Sequence, residues 1–242
     1  MAFASARVDK EARMTRGYRR LLLLLLCFAC VSPWAHADPG LFDWGFNVNG
    51  GIYWNPGPTP AFFNTAGFDF TTGLGTITIT FQPGGAGAYS VVSFFDHEFD
   101  AAINTYFNEF GQANGSPAAG QTWEIDEPGY ALVGDIYDNV LAGALDNTGI
   151  TGPEDISMAL GWNMILAEDE IATINMMLSL TPPAGGFYLA QWDPESTGNN
   201  AVYFSSNVSI TGGGTNVPEP ATFTLLGLGI VALAVRRRRV RA

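Results

Sequence analysis

The sequence predicts a mainly β chain: an antiparallel, jelly-roll-like β-sandwich with one or two short helices, flanked by an N-terminal signal helix and a C-terminal transmembrane helix. Three observations carry this. β-Branched and aromatic runs recur between Gly/Pro turns through the middle of the chain, the spacing of an antiparallel sandwich or barrel. All 11 basic residues sit at the two ends, each group beside an apolar run. Between those ends lie residues 38–217, long enough for one domain with its own core.

The N-terminal end reads first. Arg7, Lys10, Arg13, Arg16, Arg19 and Arg20 precede an apolar run over 21–31, about half the length of a bilayer-spanning helix. Ser32-Pro33-Trp34-Ala35-His36-Ala37 follows, with the small residues Ala35 and Ala37 in the A-x-A pattern of a signal-peptidase site. Residues 1–37 are therefore read as a secretory signal peptide, cut between Ala37 and Asp38. The stretch from Met14 to Arg20 suffices as its basic region. Cys27 and Cys30 both fall inside this signal, so their C-x-x-C spacing is incidental. The body has no cysteine, which excludes Cys-ligated zinc, iron–sulfur clusters and thiol catalysis.

Within the body, 38–211, the first clear strand is Thr76-Ile77-Thr78-Ile79-Thr80-Phe81, alternating with period two between Gly75 and Pro83-Gly84-Gly85. Residues 89–95 form the next, and the two make a plausible hairpin. Residues 97–110 read as a helix: Ala102, Tyr106, Phe107 and Phe110 lie on one face, Asp96 suits the N-cap and Gly111 the stop. A short strand over 121–125 ends at Glu127-Pro128-Gly129. A second, weaker helix spans 135–145, with Gly143 against it. Four more strands follow over 157–167, 171–180, 187–192 and 201–210, separated by an acidic turn, a Pro182-Pro183 turn and the loop 193–200. Both helices are placed on connections at one end of the sandwich. Gly-rich residues 212–216 form a linker.

Charge is one-sided. Of the 23 acids, Asp9 and Glu11 lie in the signal and Glu219 in the tail, leaving 20 in a body without Lys or Arg. Nucleic acid is excluded as a partner, because phosphate binding needs a basic footprint. Each carboxylate must be solvated, hydrogen-bonded or bound to a cation, and self-repulsion opposes compaction. Stability is expected to rise with salt or calcium.

Asp96-His97-Glu98-Phe99-Asp100 is the most polar candidate site. It begins like a His-Glu-x-x-His zinc helix, but Ala101 stands where the second histidine belongs. Glu124 and Asp126 share one strand face, and Asp135 follows. Asp96, Glu98, Asp100, Glu124, Asp126 and Asp135 are the candidate oxygen ligands for a cation, Ca2+ in the first place, although no EF-hand or nonapeptide pattern is present. Helix capping and solvated loop acids explain the same residues without a ligand. Trp44, Tyr53 and Trp54 lie where a sugar-stacking face is plausible, though most of the aromatics are more simply core. Paired carboxylates suit glycoside hydrolysis, but 20 acids guarantee such pairs. No nucleophile elbow, P-loop or dinucleotide fingerprint appears.

The C-terminal end has three parts: Val217-Pro218-Glu219-Pro220, an uncharged segment over 221–235, and Arg236, Arg237, Arg238, Arg239 and Arg241. As a helix the middle part is about 22 Å long, and the arginines would hold to the cytoplasmic side of the inner membrane. This tail, 217–242, resembles the PEP-CTERM sorting signal of Gram-negative bacteria. The resemblance implies recognition by a membrane-embedded exosortase, a transient stay at the inner membrane, and a mature form without a transmembrane helix; export through the Sec machinery is expected from the signal peptide. In the body, Ser157-Met158-Ala159-Leu160-Gly161-Trp162, the run from Gly186 to Pro194, and Tyr203-Phe204-Ser205-Ser206 resemble domains of other PEP-CTERM proteins, a group that implies no activity for any residue here.

The expected function is non-enzymatic: an exported surface or extracellular-matrix protein, associated with exopolysaccharide or matrix proteins. The alternatives are a carbohydrate-binding module using Trp44 or Trp54, and a secreted hydrolase using Asp96, His97 or Glu98.

Overall fold

Alternation of burial along the strands divides the body between two facing antiparallel sheets. The computed structural model describes residues 39–212, apart from 103, 130–132 and 199. The signal segment with Ala35 and Ala37, linker residues 213–216, the sorting motif, the 221–235 helix and the arginine cluster lie outside the described residues. Among the described residues no helix is long and apolar enough to cross a membrane.

The strands are β1 (Gly40–Val48), β2 (Gly51–Trp54), β3 (Phe63–Asp69), β4 (Leu74–Phe81), β5 (Gly87–Glu98), β6 (Phe110–Asn114), β7 (Gln121–Asp126), β8 (Ser157–Leu166), β9 (Ile171–Ser179), β10 (Tyr188–Trp192) and β11 (Ala201–Thr211). One sheet has the order β2-β1-β5-β8-β7 and the other β3-β4-β9-β11-β10-β6. This bears out a mainly β chain of two antiparallel sheets. The strand order does not establish the jelly-roll arrangement.

The core lies between the sheets. Phe46 and Phe95 of the first sheet and Ile77, Ile79, Ile174 and Phe204 of the second are fully buried there. Phe95 meets Phe46 and Phe204 edge-on, at ring separations of 5.7 and 5.1 Å. Each such side chain contributes roughly 1.5–3 kcal/mol, which lets a cysteine-free domain hold together through its apolar core.

Four expectations need correction. β4 and β5 do not form a hairpin: β4 pairs with β3 and β9, β5 with β1 and β8. Both carry core-facing residues, and the Pro83-Gly84-Gly85 link carries the chain across to the opposite sheet. The helix over 97–110 is absent. β5 runs on through His97 and Glu98 because β1 pairs with both, and Asp100 takes φ +53°, which no right-handed helix admits. Only Tyr106–Asn108 forms a 3-10 turn, and Tyr106 and Phe107 are exposed rather than core-facing. β1, β2 and β3 were not foreseen, since the residues from 40 to 69 carry no clean alternation, and β6 was not foreseen because its first residues, Phe110 and Gly111, fit the end and stop of the expected 97–110 helix. The last six residues of β1 are all buried, on both faces.

The remaining helix, α1 (Ile136–Ala142), falls inside the predicted 135–145 but not at an end of the sandwich. It covers the outer face of the five-stranded sheet, where Ile136, Val140 and Leu145 pack on Val92, Phe94 and Ala159. Apolar residues on both faces of β5 require this cover. Gly143, which weakened the prediction, is the helix stop, in the left-handed region at φ +69°. Asn47 Nδ2 ties the helix end to β1 through the Val140 and Leu141 carbonyls, at 3.0 and 2.9 Å.

Residues 147–154 run along one side of the molecule and bond to both sheets. Ile150 N–H donates to the Ile125 carbonyl of β7, and Glu109 and Glu154 exchange backbone bonds beside β6.

Candidate metal centre

Strand pairing assembles a row of acids on the outer face of the five-stranded sheet, beyond the end of α1. Asp43 of β1 lies opposite Asp96 of β5, Asp96 opposite Ser157 of β8, and Ser157 opposite Asp126 of β7. Continuing the β5–β8 register by two residues sets Glu98 across from Asp155. The six predicted ligands divide among three places. Asp96 and Glu98 join Asp155, and Glu124, Asp126 and Asp135 form a second group; in each, one oxygen per residue lies within 4.8 Å of the others. Asp100 belongs to neither. Its Oδ2 accepts from the Thr197 backbone N–H at 2.7 Å and from the Ser196 and Thr197 hydroxyls, which hold its carboxyl below the usual range.

His97 also stands apart. Strand alternation turns it to the opposite face from Asp96 and Glu98, where it is fully buried. Its Nε2 is 3.3 Å from the Gly73 carbonyl and so must carry the ring proton. Burial pushes the imidazole down to about 4, opposed by the Gly73 bond. The fold therefore does not bring Asp96, His97 and Glu98 together as one site.

The two acidic groups differ in what satisfies them. Glu124 accepts from Asn139 Nδ2 with both oxygens, at 3.0 and 3.2 Å, and from the Asp146 N–H; Asp126 Oδ2 accepts from the Asp135 N–H. Burial lifts Glu124 to about 7 against these bonds. In the first group Asp96 is 1% exposed, Asp155 7% and Ser157 0%. Asp96 Oδ1, Asp155 Oδ1 and Ser157 Oγ each lack a hydrogen-bond partner. Ser157 lies near enough to favour the charged form of Asp96 without completing a bond that meets strict geometry. Burial, then the charges of Asp155 and Glu98, raise the Asp96 carboxyl well above the usual range. Burial and Asp155 lift Glu98 to about 7, and burial and Glu127 lift Asp155 to about 6.

Glu109 adjoins this cluster. Its Oε2 accepts from Gln191 Nε2 at 2.7 Å and from the Ile156 N–H at 3.2 Å. Burial raises it to about 10, opposed by those bonds and reinforced by Glu98 and Asp96. Asp155, Ser157 and Glu109 escaped the sequence reading. The one available signal was the acidic pair Glu154-Asp155 just ahead of a strand.

The aromatic candidates are packing residues. Trp44 is buried and packs on Phe46 and Phe70. Trp54 stacks on Phe94 at 5.3 Å, meets Tyr137 edge-on and donates its indole N–H to Asp43 Oδ2 at 2.9 Å. Tyr53 packs on Phe62 and Phe63. Leu41, Trp44, Asn55, Pro56 and Phe70 do line an open groove.

Comparison with known proteins adds the C-terminal end. A family model for the PEP-CTERM protein-sorting motif matches residues 216–239. Searches of curated proteins and of solved structures returned no match. The chain thus carries a PEP-CTERM sorting motif at its C-terminal end, the mark of an exported protein sorted at the membrane by an exosortase.

Proposed function

We propose that the body is a non-enzymatic structural or interaction protein of the cell surface or extracellular matrix, exported through Sec and retained among exopolysaccharide or other matrix proteins. The observation that carries this reading is the joining of a sorting tail to a sandwich with 20 acids and no Lys or Arg. Such a body repels anionic polymers and remains available to neutral glycans, cations and basic partners. The chemistry-bearing side chains support the same reading. His97 faces the core, away from Asp96 and Glu98, and the tryptophans foreseen as a sugar platform spend their faces on neighbouring rings.

Cell fractionation tests it. The wild type should be recovered with the surface or matrix fraction. Replacing Pro218-Glu219-Pro220 by alanines should leave the protein in the inner membrane. Recovery of wild type as a freely soluble protein in the medium, with no matrix-bound pool, would refute the reading. Retention on a neutral polysaccharide column would favour the carbohydrate-binding module instead.

A further inference from the structure

We propose that Asp96, Glu98 and Asp155 bind one calcium ion on the outer face of the five-stranded sheet, with Ser157 Oγ as an adjacent oxygen. The three carboxyl groups each present an oxygen within 4.8 Å of the other two. Calcium takes oxygen ligands at about 2.3–2.6 Å, so two oxygens on one ion stand up to about 5 Å apart. The spacing therefore needs no rearrangement of the strands.

Proximity of acids alone would not make a site. The second observation is that two of these carboxylates are more than nine-tenths buried and leave an oxygen unpartnered, as does the fully buried Ser157 hydroxyl between the strands. A buried polar atom without a partner costs about 1–3 kcal/mol, more when charged. No Lys or Arg exists anywhere in the body to answer it, and the sole histidine there, His97, faces the other way. The neighbouring group around Glu124 makes the contrast: Asn139 and two backbone N–H groups already serve its oxygens, so a cation has less to satisfy there. Glu98 is only half-buried and gives the ion its way in. An all-oxygen set with no accessible nitrogen or sulfur selects a hard cation over zinc.

The test uses the exported full-length protein, purified in detergent and stripped with EGTA. Calcium chloride is titrated at fixed ionic strength and followed by calorimetry and thermal unfolding. One site is expected, with a Kd of about 0.1–1 mM as in extracellular calcium modules, and a rise in Tm of several degrees at 10 mM calcium. Asp96→Asn and Asp155→Asn should each weaken binding at least tenfold, while Asp126→Asn and Asp135→Asn leave it within twofold. Asp96→Asn should match or exceed the wild-type Tm in EGTA, because it removes a buried acid whose ionisation burial and its acidic neighbours oppose. Glu98→Gln, at a half-exposed position, repeats the test should either asparagine variant fold poorly. Three results would overturn the proposal: wild-type affinity in the Asp96, Asp155 and Glu98 variants, loss of binding in Asp126→Asn instead, or an equal response to magnesium. A wild type whose Tm ignores calcium would overturn it as well. None of these bears on the matrix reading, which the fractionation experiment decides separately.

Discussion

Glu109 gives the molecule a pH dependence opposite to that of most proteins. Its carboxyl is fully buried between Gln191 and the Ile156 N–H and titrates near 10, whereas an unfolded glutamate titrates near the ordinary carboxylate value. A group whose pKa is raised on folding contributes stability that is complete below its unfolded pKa and is lost as pH climbs towards the folded one. Between pH 6.5 and 8.5 the folded state keeps the Glu109 proton and the unfolded state does not. A difference of one proton is a slope of about −1.4 kcal/mol per pH unit, or about 2.7 kcal/mol across the window. At roughly 2–4 °C per kcal/mol for a domain of this size, Glu109 alone should lower Tm by about 5–10 °C. His97 works the other way, since burial depresses it to about 4, but its contribution lies below pH 6.5. Glu98 and Glu124, both lifted to about 7, and the raised Asp96 add slope of the same sign within the window, so the Glu109 share is read from the difference between wild type and Glu109→Gln. The assay is calorimetric unfolding in EGTA at constant ionic strength. Glu109→Gln retains an oxygen to accept from Gln191 and Ile156 and removes the titration, so its slope should be shallower by about one proton. Equal slopes for wild type and Glu109→Gln would refute the reasoning.

Two other perturbations follow from packing and charge. A Cβ at Gly45 would stand 2.3 Å from the Trp54 ring, so Gly45→Ala should displace the indole from Phe94 and cost about 1–3 kcal/mol by overpacking. The urea midpoint should drop, and an equally large drop in a Trp54→Ala background would contradict this cause. Raising NaCl from 0.1 to 1 M in EGTA shortens the screening length from about 10 to about 3 Å, so the self-repelling body should gain Tm; a flat or falling Tm would disprove it.

The regular, solvent-facing strands were legible because their alternation survives in the sequence, as in Thr76 to Phe81 and the run from Ile171. β1 was illegible for the opposite reason: Trp44, Phe46 and Val48 face the core while Asp43 and Asn47 are buried beneath Trp54 and α1, so neither face reads as polar. The false helix over 97–110 came from aromatic residues at helical spacing whose position is decided by β1 lying along the end of β5. The site was half legible. Asp96 and Glu98 stand out locally, but their partner Asp155 arrives only through the β5–β8 register, 57 residues away from Glu98 in sequence and fixed by long-range pairing. The tail needed no tertiary information, since its signal is a linear order of motif, apolar segment and arginines.

The strap of residues 147–154 bears on how copies of the protein can meet. A sheet edge is a template for another strand unless something occupies it. Along the side where β7 and β6 end the two sheets, the strap fills backbone positions that an incoming chain would need, and it seals both sheets at once. On the far side β2 and β3 each have a single neighbour among the described residues, β2 being only four residues long and β3 interrupted by a bulge. A neighbouring copy would therefore meet a molecule with one closed flank and one flank with two short, irregular edges. Growth of an extended sheet through both flanks is blocked by the backbone itself, independently of the charge that keeps the copies apart.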